Sequence, residues 1–290
     1  MTSGVLIRSG CGRHCYNFVV TGSLVRALDL RDIQQAMELS TAAGWNQTEQ
    51  DWRRLIELQP DGCFAIEENG CVVATTTILF YGRDLAWIGM VLTHKDHQRR
   101  GLARKLMETA LETARARGVR CVKLDATDQG EPLYRSLGFQ VEQQVERWRR
   151  EPAPLEQLDF YGIIDPHDHG LDRKAFGADR QVFLNSLFGT GNSVGSSDGY
   201  AITRPGTRAR YFGPCVARDA GLAELLARVV IAPHAGEPWF WDLLPKNPHV
   251  KGMADGLGFR RVRELQRMFW GENVRGDDSL VFAIAGFEAG

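Results

Sequence analysis

Shifted by 120 positions, the chain falls on itself at separated points. Gly101-Leu102-Ala103 lands on Gly221-Leu222-Ala223, Leu137-Gly138-Phe139 on Leu257-Gly258-Phe259, and Arg147 on Arg267. Gap-free matches at one offset mark an internal repeat, so one structural plan is built twice. Each Leu-Gly-Phe also has a local reason: the Gly ends a helix in the left-handed conformation and the Phe starts a strand. The 290 residues suffice for two ordinary domains. Glu151-Pro152-Ala153-Pro154 reads as the linker between a first domain over 23–150 and a diverged copy over 151–290, with residues 1–22 a leader outside the packed unit.

Local patterns order the elements. LVRALDL (24–30) reads as a strand, Asp32 is placed to cap a helix over 33–44, and Thr48 to cap one over 49–58. CFAIEE and CVVATTTILFY are strands joined at Asn69-Gly70, a strong hairpin signal. AWIGMVLT (86–93) is a strand, 102–117 a helix with Leu102, Leu106, Ala110 and Leu111 on one face, and RCVKLDAT (120–127) a strand. EPLYRSLG (131–138) is a short helix, and 139–150 a strand pair or one long strand. Passing from strand to helix to strand over 86–125 requires a parallel crossover. The second half reads as a helix over 171–189, strands YAITR and ARYFGPCVA, helix GLAELLARVVI, strand PWFWDLL, a short helix ending near Gly258 and a strand RRVRELQRMFW. The fold class is α/β (α+β), with mixed sheets.

The turn HQRRGLARKL, between strand 86–93 and helix 102–117, carries the chemistry. A helix start leaves N–H groups without partners, and the helix dipole adds positive charge, which suits an anion such as phosphate. Gly101 removes a side chain where a diphosphate must approach closely. Ala103 keeps the first turn narrow, and Arg99, Arg100 and Arg104 add positive charge.

Gln98-x-x-Gly101-x-Ala103 resembles the [Q/R]-x-x-G-x-[G/A] signature of the GCN5-related N-acetyltransferases (GNAT), and LYRSLGF (133–139) resembles that superfamily's second landmark about 30 residues on. LDATDQGEPLYRSLGF and GYAITRPGTRARYFGPCVARD are similar to bacterial members that carry a second GNAT-like domain. The resemblance implies tandem GNAT-like domains, each a mixed, mostly antiparallel sheet with splayed central strands. It implies acetyl-CoA as acyl donor, pantetheine paired with the backbone of Val91, Leu92 and Thr93, and diphosphate on the amides of Arg99, Arg100, Gly101, Leu102, Ala103 and Arg104. Tyr134 matches the residue that protonates the leaving thiolate. A neutral primary amine, on a small molecule or a protein, attacks the thioester directly. Many relatives place a Glu or His base six residues before the position of Thr93; here it is Trp87, which accepts no proton. Asp84, His94, a water chain or no base at all remain as alternatives. Asp128 stands where many relatives have Asn.

In the copied site Arg99 becomes Asp219, which caps the amides itself and repels diphosphate, and Tyr134 becomes Ala254. The second domain therefore reads as non-catalytic, packing on the first and walling its acceptor pocket. Trp239, Phe240, Trp241 and Trp270 read mainly as core.

Other signals exclude. A net charge of −1 gives no global attraction to nucleic acid or anionic membrane, and no apolar run approaches the ~18 residues of a span. Arg115, Arg117, Arg120 and Lys123 read as solvated charge. Six dispersed cysteines form no disulfide framework, in keeping with a reducing cytoplasm. Cys11, His14 and Cys15 lack a second ligand pair, and His167-Asp168-His169 reads as a polar loop in which Asp168, or Asp172 beyond it, caps the helix at 171; no metal is expected. Oligomeric state is not encoded legibly. The other reading is a non-catalytic acyl-CoA-binding sensor, favoured by Trp87.

Overall fold

The computed structural model describes residues 24–159, 170–188 and 192–290. The leader, the Cys11/His14/Cys15 group and His167-Asp168-His169 lie outside the described residues. Along the first half run β1 (Val25–Ala27), α1 (Ile33–Ala42), α2 (Glu49–Leu58), β2 (Cys63–Glu68), β3 (Cys71–Tyr81), β4 (Leu85–Thr93), α3 (Leu102–Ala116), β5 (Cys121–Ala126), α4 (Glu131–Ser136) and β6 (Gln140–Arg150). The second half continues with α5 (Gly170–Phe176), α6 (Gln181–Leu187), β7 (Ser193–Ser196), β8 (Gly199–Arg204), β9 (Arg210–Ala217), α7 (Ala220–Ile231), β10 (Trp239–Leu243), α8 (Val250–Gly256), β11 (Arg260–Gly271) and β12 (Val281–Ala283).

Most sequence signals act where they stand. Thr48 and Asp51 form a reciprocal capping box on α2. Asn69 and Gly70 both take positive φ, 54° and 77°, at the β2–β3 hairpin. The face of α3 carrying Leu102, Leu106, Met107, Ala110, Leu111 and Ala114 is buried against the sheet. Four expectations change. Strand 24–30 shrinks to β1, because Leu30–Asp32 turn as a 3₁₀ helix. Asp32 does not cap α1; its carboxylate accepts from the Asp29 amide and pairs with Arg26 instead. The helix at 171–189 breaks into α5 and α6 after Gly177, whose φ is 88°. Asp172 lies inside α5, buried and paired with Arg180 at 2.9 Å, rather than capping it.

Among the described residues, twelve strands join one sheet in the order β1-β2-β3-β4-β5-β11-β6-β10-β9-β8-β7, with β12 beside β9. The two halves therefore exchange equivalent strands: β11 of the second pairs with β5 of the first, and β6 of the first with β10 of the second. In the β6–β11 ladder Val145 faces Leu265, its own repeat partner, so a local two-fold relation passes through that pair. Buried ion pairs obey it. Arg147 reaches across to Asp242 through bonds of 2.7 and 2.6 Å, and Arg267 to Asp125 at 2.9 and 3.0 Å. Both are forked, the geometry in which guanidinium and carboxylate offset their desolvation best. The stretch read as a strand pair or one long strand is a single strand, β6 (Gln140–Arg150), shared by both halves.

Candidate active site

A cleft of about 540 Å³ opens where β4 and β5 part. Their parallel pairing runs only from Leu85/Cys121 to Trp87/Lys123, although β4 continues to Thr93 and β5 to Ala126. A bulge accompanies the parting: Thr77 faces Gly89, Thr75 faces Leu92, and Met90 takes φ 49°. The His94 amide bonds Val73 of β3, and by alternation Leu92 faces β3 as well. The main chains of Val91 and Thr93 turn to the opening instead. Leu92 thus lines the cleft without a free main-chain edge there.

The turn after β4 reaches the cleft at Gln98, Arg99, Gly101, Leu102, Ala103 and Arg104. Arg99 and Gly101 are left-handed, at φ 60° and 80°, a geometry that gathers N–H groups into a concave nest. A Cβ on Gly101 would meet nothing within 4 Å, so backbone conformation, not crowding by the protein, calls for glycine. No side chain caps α3, and the first helical bond is made by the Lys105 amide, leaving those of Leu102, Ala103 and Arg104 ahead of it. Arg104 bonds Ser136 of α4 at 2.8 Å. Arg100 departs from its expected place: it forks onto Glu68 of β2 and stands outside the cleft lining.

Tyr134 stands on α4, its ring buried against Phe139. Gly130 makes room, since a Cβ there would come within 2.8 Å of the ring. Burial raises the phenol's pKa well above its ordinary value. Among the described residues no group bonds its hydroxyl, and the residue lines the cleft.

The far end of the cleft combines both halves. Trp45 and Gln47, from the α1–α2 connection, meet Asp125, Arg147, Arg263, Leu265, Phe287 and Glu288. Glu288 arrives on the C-terminal segment, packed so closely on β4 that a Cβ on Gly89 would lie 2.6 Å from its Cα. Trp87, 1% exposed, helps hold that segment by donating its indole N–H to the Phe287 carbonyl at 3.0 Å. Glu288 is 6% exposed and accepts from Arg204 at 2.8 Å and Gln47 at 3.0 Å. Burial pushes its carboxyl above the usual range and Asp51 adds to this, while Arg204 pulls the other way. Neither Asp84, paired with Arg120, nor His94 lines the cleft. Sequence reasoning missed Glu288, Gln47 and Arg263; only the repeat at Arg147/Arg267 pointed toward this end. Asp128 stays off this lining, between Thr127 and Gln129, which are on it.

The second half repeats the splay and then closes it. β9 and β10 pair from Arg210/Trp239 to Phe212/Trp241, and β12 enters beyond, pairing with Cys215 and Val216. Trp241 donates to the Phe282 carbonyl at 2.8 Å and the Ile284 amide to Asp242 at 3.0 Å. At the α7 start Asp219 accepts from the Leu222 amide, and Ala254 is buried. Trp239, Phe240 and Trp241 are core.

The basic residues between positions 115 and 123 are engaged. Arg115 stacks on Trp270, Arg117 pairs with Asp61, Arg120 bridges Asp84 and Glu272, and Lys123 is buried with Glu142 rather than solvated. No helix among the described residues is long and apolar enough to cross a membrane, and none of them forms a cluster of three or more metal-ligating side chains.

Residues 28–139 match the acetyltransferase (GNAT) family model and residues 169–283 a second acetyltransferase (GNAT) domain model. The chain is 23% identical over 270 residues to the uncharacterised N-acetyltransferase YitH of Bacillus subtilis, covering 86% of this chain and 92% of that one. Its fold is similar to a putative acetyltransferase from Pyrococcus horikoshii (TM-score 0.82, 24% identity, 96% and 100% covered). It is also similar to a tandem GNAT protein from the clavulanic acid biosynthesis pathway (TM-score 0.62, 16% identity, 86% and 98% covered).

Proposed function

The chain belongs to the GNAT acetyltransferase superfamily and carries two GNAT-like domains, and on that premise we propose an acetyl-CoA-dependent N-acetyltransferase working in the cleft of the first half. One observation carries the reading: a single cleft holds both the uncapped start of α3 and a Tyr134 hydroxyl that no described group engages. When bound, the donor supplies an activated acetyl thioester. The residues fit it. The amides of Arg99 and of Gly101–Arg104 offer a nest for diphosphate, and Val91 and Thr93 offer a main-chain edge to pantetheine.

At the far end an acceptor's primary amine is held for direct attack. Glu288 takes the amine's proton as the C–N bond forms, and Tyr134 gives one to the sulfur as the C–S bond breaks. A buried phenol stays protonated at neutral pH, as an acid must. The second half acts as scaffold: β12 fills its opening, Asp219 occupies its amides, and its β11 and C-terminal segment wall the acceptor site. The acceptor is a small-molecule or protein amine, without nucleic acid or membrane as partner. We place the enzyme in the cytoplasm, in keeping with described cysteines that form no disulfide.

Trp87 in place of a base favours a second reading, an acyl-CoA-binding sensor. Thiol release from acetyl-CoA across an amine panel separates the two, read beside calorimetric CoA titration of wild type and Gly101→Glu. Turnover, with CoA binding at least ten-fold weaker in the variant, is expected. Binding without turnover selects the sensor, and equal binding by the variant removes the cofactor site from α3.

A further inference from the structure

Charged groups at the acceptor end are paired within the protein, with one exception. Asp125 is forked onto Arg267 and Arg147 onto Asp242, while Glu288 pairs with Arg204 through one oxygen. Arg263 lines the same cleft, yet among the described residues no carboxylate pairs with it and no group accepts from it. It faces Arg147 directly across the β6–β11 ladder, cation beside cation. Arg263 is an exposed residue of the lining; partial burial and then the Arg147 charge lower its pKa, Asp242 and Asp128 act the other way more weakly, and the guanidinium stays open to solvent.

The repeat supplies an internal control. Under the 120-residue relation the facing pair Arg147/Arg263 corresponds to Arg267/Gln143. On that side, where the space is a remnant of about 30 Å³, the partner is a neutral Gln143 bonded to Asp278. The same ladder position is thus neutral where the sheet is closed and cationic where it opens on the cleft. Structural need for a side chain beside the buried arginine is met by glutamine, so ladder packing alone does not call for a second charge.

We propose that Arg263 is the specificity determinant for the acceptor, and that the acceptor is an amine bearing an anionic group, carboxylate or phosphate, which Arg263 takes while the amine faces Glu288. Planar guanidinium suits either anion through two parallel bonds. The buried Gln47 Oε1, which has no partner among the described residues, adds an acceptor-only atom beside Glu288 at the amine end. The proposal rests on the acetyltransferase reading.

The test uses the full chain with acetyl-CoA and matched amines: amino acids beside their amides, and O-phosphoethanolamine beside ethanolamine. Wild type should favour the acidic member by about ten-fold or more in kcat/KM, the span of one charge-assisted hydrogen bond. Arg263→Gln should erase the preference through KM and leave CoA affinity unchanged, and Arg263→Glu should favour the amide. Preference for amino acids or for O-phosphoethanolamine decides between carboxylate and phosphate. A wild type preferring neutral members, or a preference that survives Arg263→Gln, overturns the assignment. A second readout needs no turnover: with CoA saturating, inorganic phosphate should raise the melting temperature of wild type more than that of Arg263→Gln. Equal shifts overturn the anion site, whereas an unequal shift without any turnover sinks the enzyme reading alone.

Discussion

Replacing Tyr134 by Phe removes one oxygen that no described group engages. Stability should therefore change by less than about 0.5 kcal/mol, since no buried partner is orphaned and the ring keeps its packing on Phe139. That corresponds to a melting shift under about 2 °C for a chain of this size. CoA affinity should also hold, because the diphosphate nest is built by a different element. Turnover should fall 10²- to 10⁴-fold, the range for a positioned general acid, or about 3–5 kcal/mol on the barrier. The raised phenol pKa adds a check. Deprotonation of Tyr134 lies above its ordinary range, so it contributes no alkaline limb below about pH 10, and wild type and variant profiles should run parallel there. Single-turnover kinetics with saturating donor and acceptor measure the step, and thermal unfolding measures the rest. A kcat within three-fold of wild type refutes the assignment of Tyr134 as acid. A melting temperature lowered by many degrees refutes the claim that its hydroxyl is uncommitted.

Glu288→Gln should abolish the acidic limb of kcat/KM. The carboxyl faces Arg204, Gln47 and Asp51, its pKa is raised, and proton acceptance is lost as pH falls through that raised value; an unchanged limb assigns the titration elsewhere. Asp219→Gly should cost only a few tenths of a kcal/mol and leave CoA stoichiometry at one per chain, because β12 still fills the second opening; two equivalents by calorimetry contradict this. Asp125→Ala should destabilise by about 3–5 kcal/mol, because Arg267 is left buried and uncompensated, and Asp242→Ala, its counterpart across the local two-fold, should match it in urea unfolding.

What the sequence determined by itself is local or periodic. Asn69-Gly70 makes a hairpin because both residues tolerate positive φ, and Thr48 with Asp51 caps α2 because they stand three positions apart. The turn at Gly101 and the 120-residue repeat were legible for the same reason: each is a relation along the chain. Tertiary structure alone decided which neighbours meet. Nothing in 139–150 says that β11 will lie between β5 and β6, since an alternating strand suits any edge of matching character. The Arg100 side chain, read as positive charge around that turn, went to Glu68 on β2, a partner set by sheet register rather than spacing. Glu288 reaches β4 only because the C-terminal segment passes through the second half's opening and docks on Trp87. Such convergence of residues as far as 241 positions apart depends on packing energy summed over the whole core, which no local stretch records.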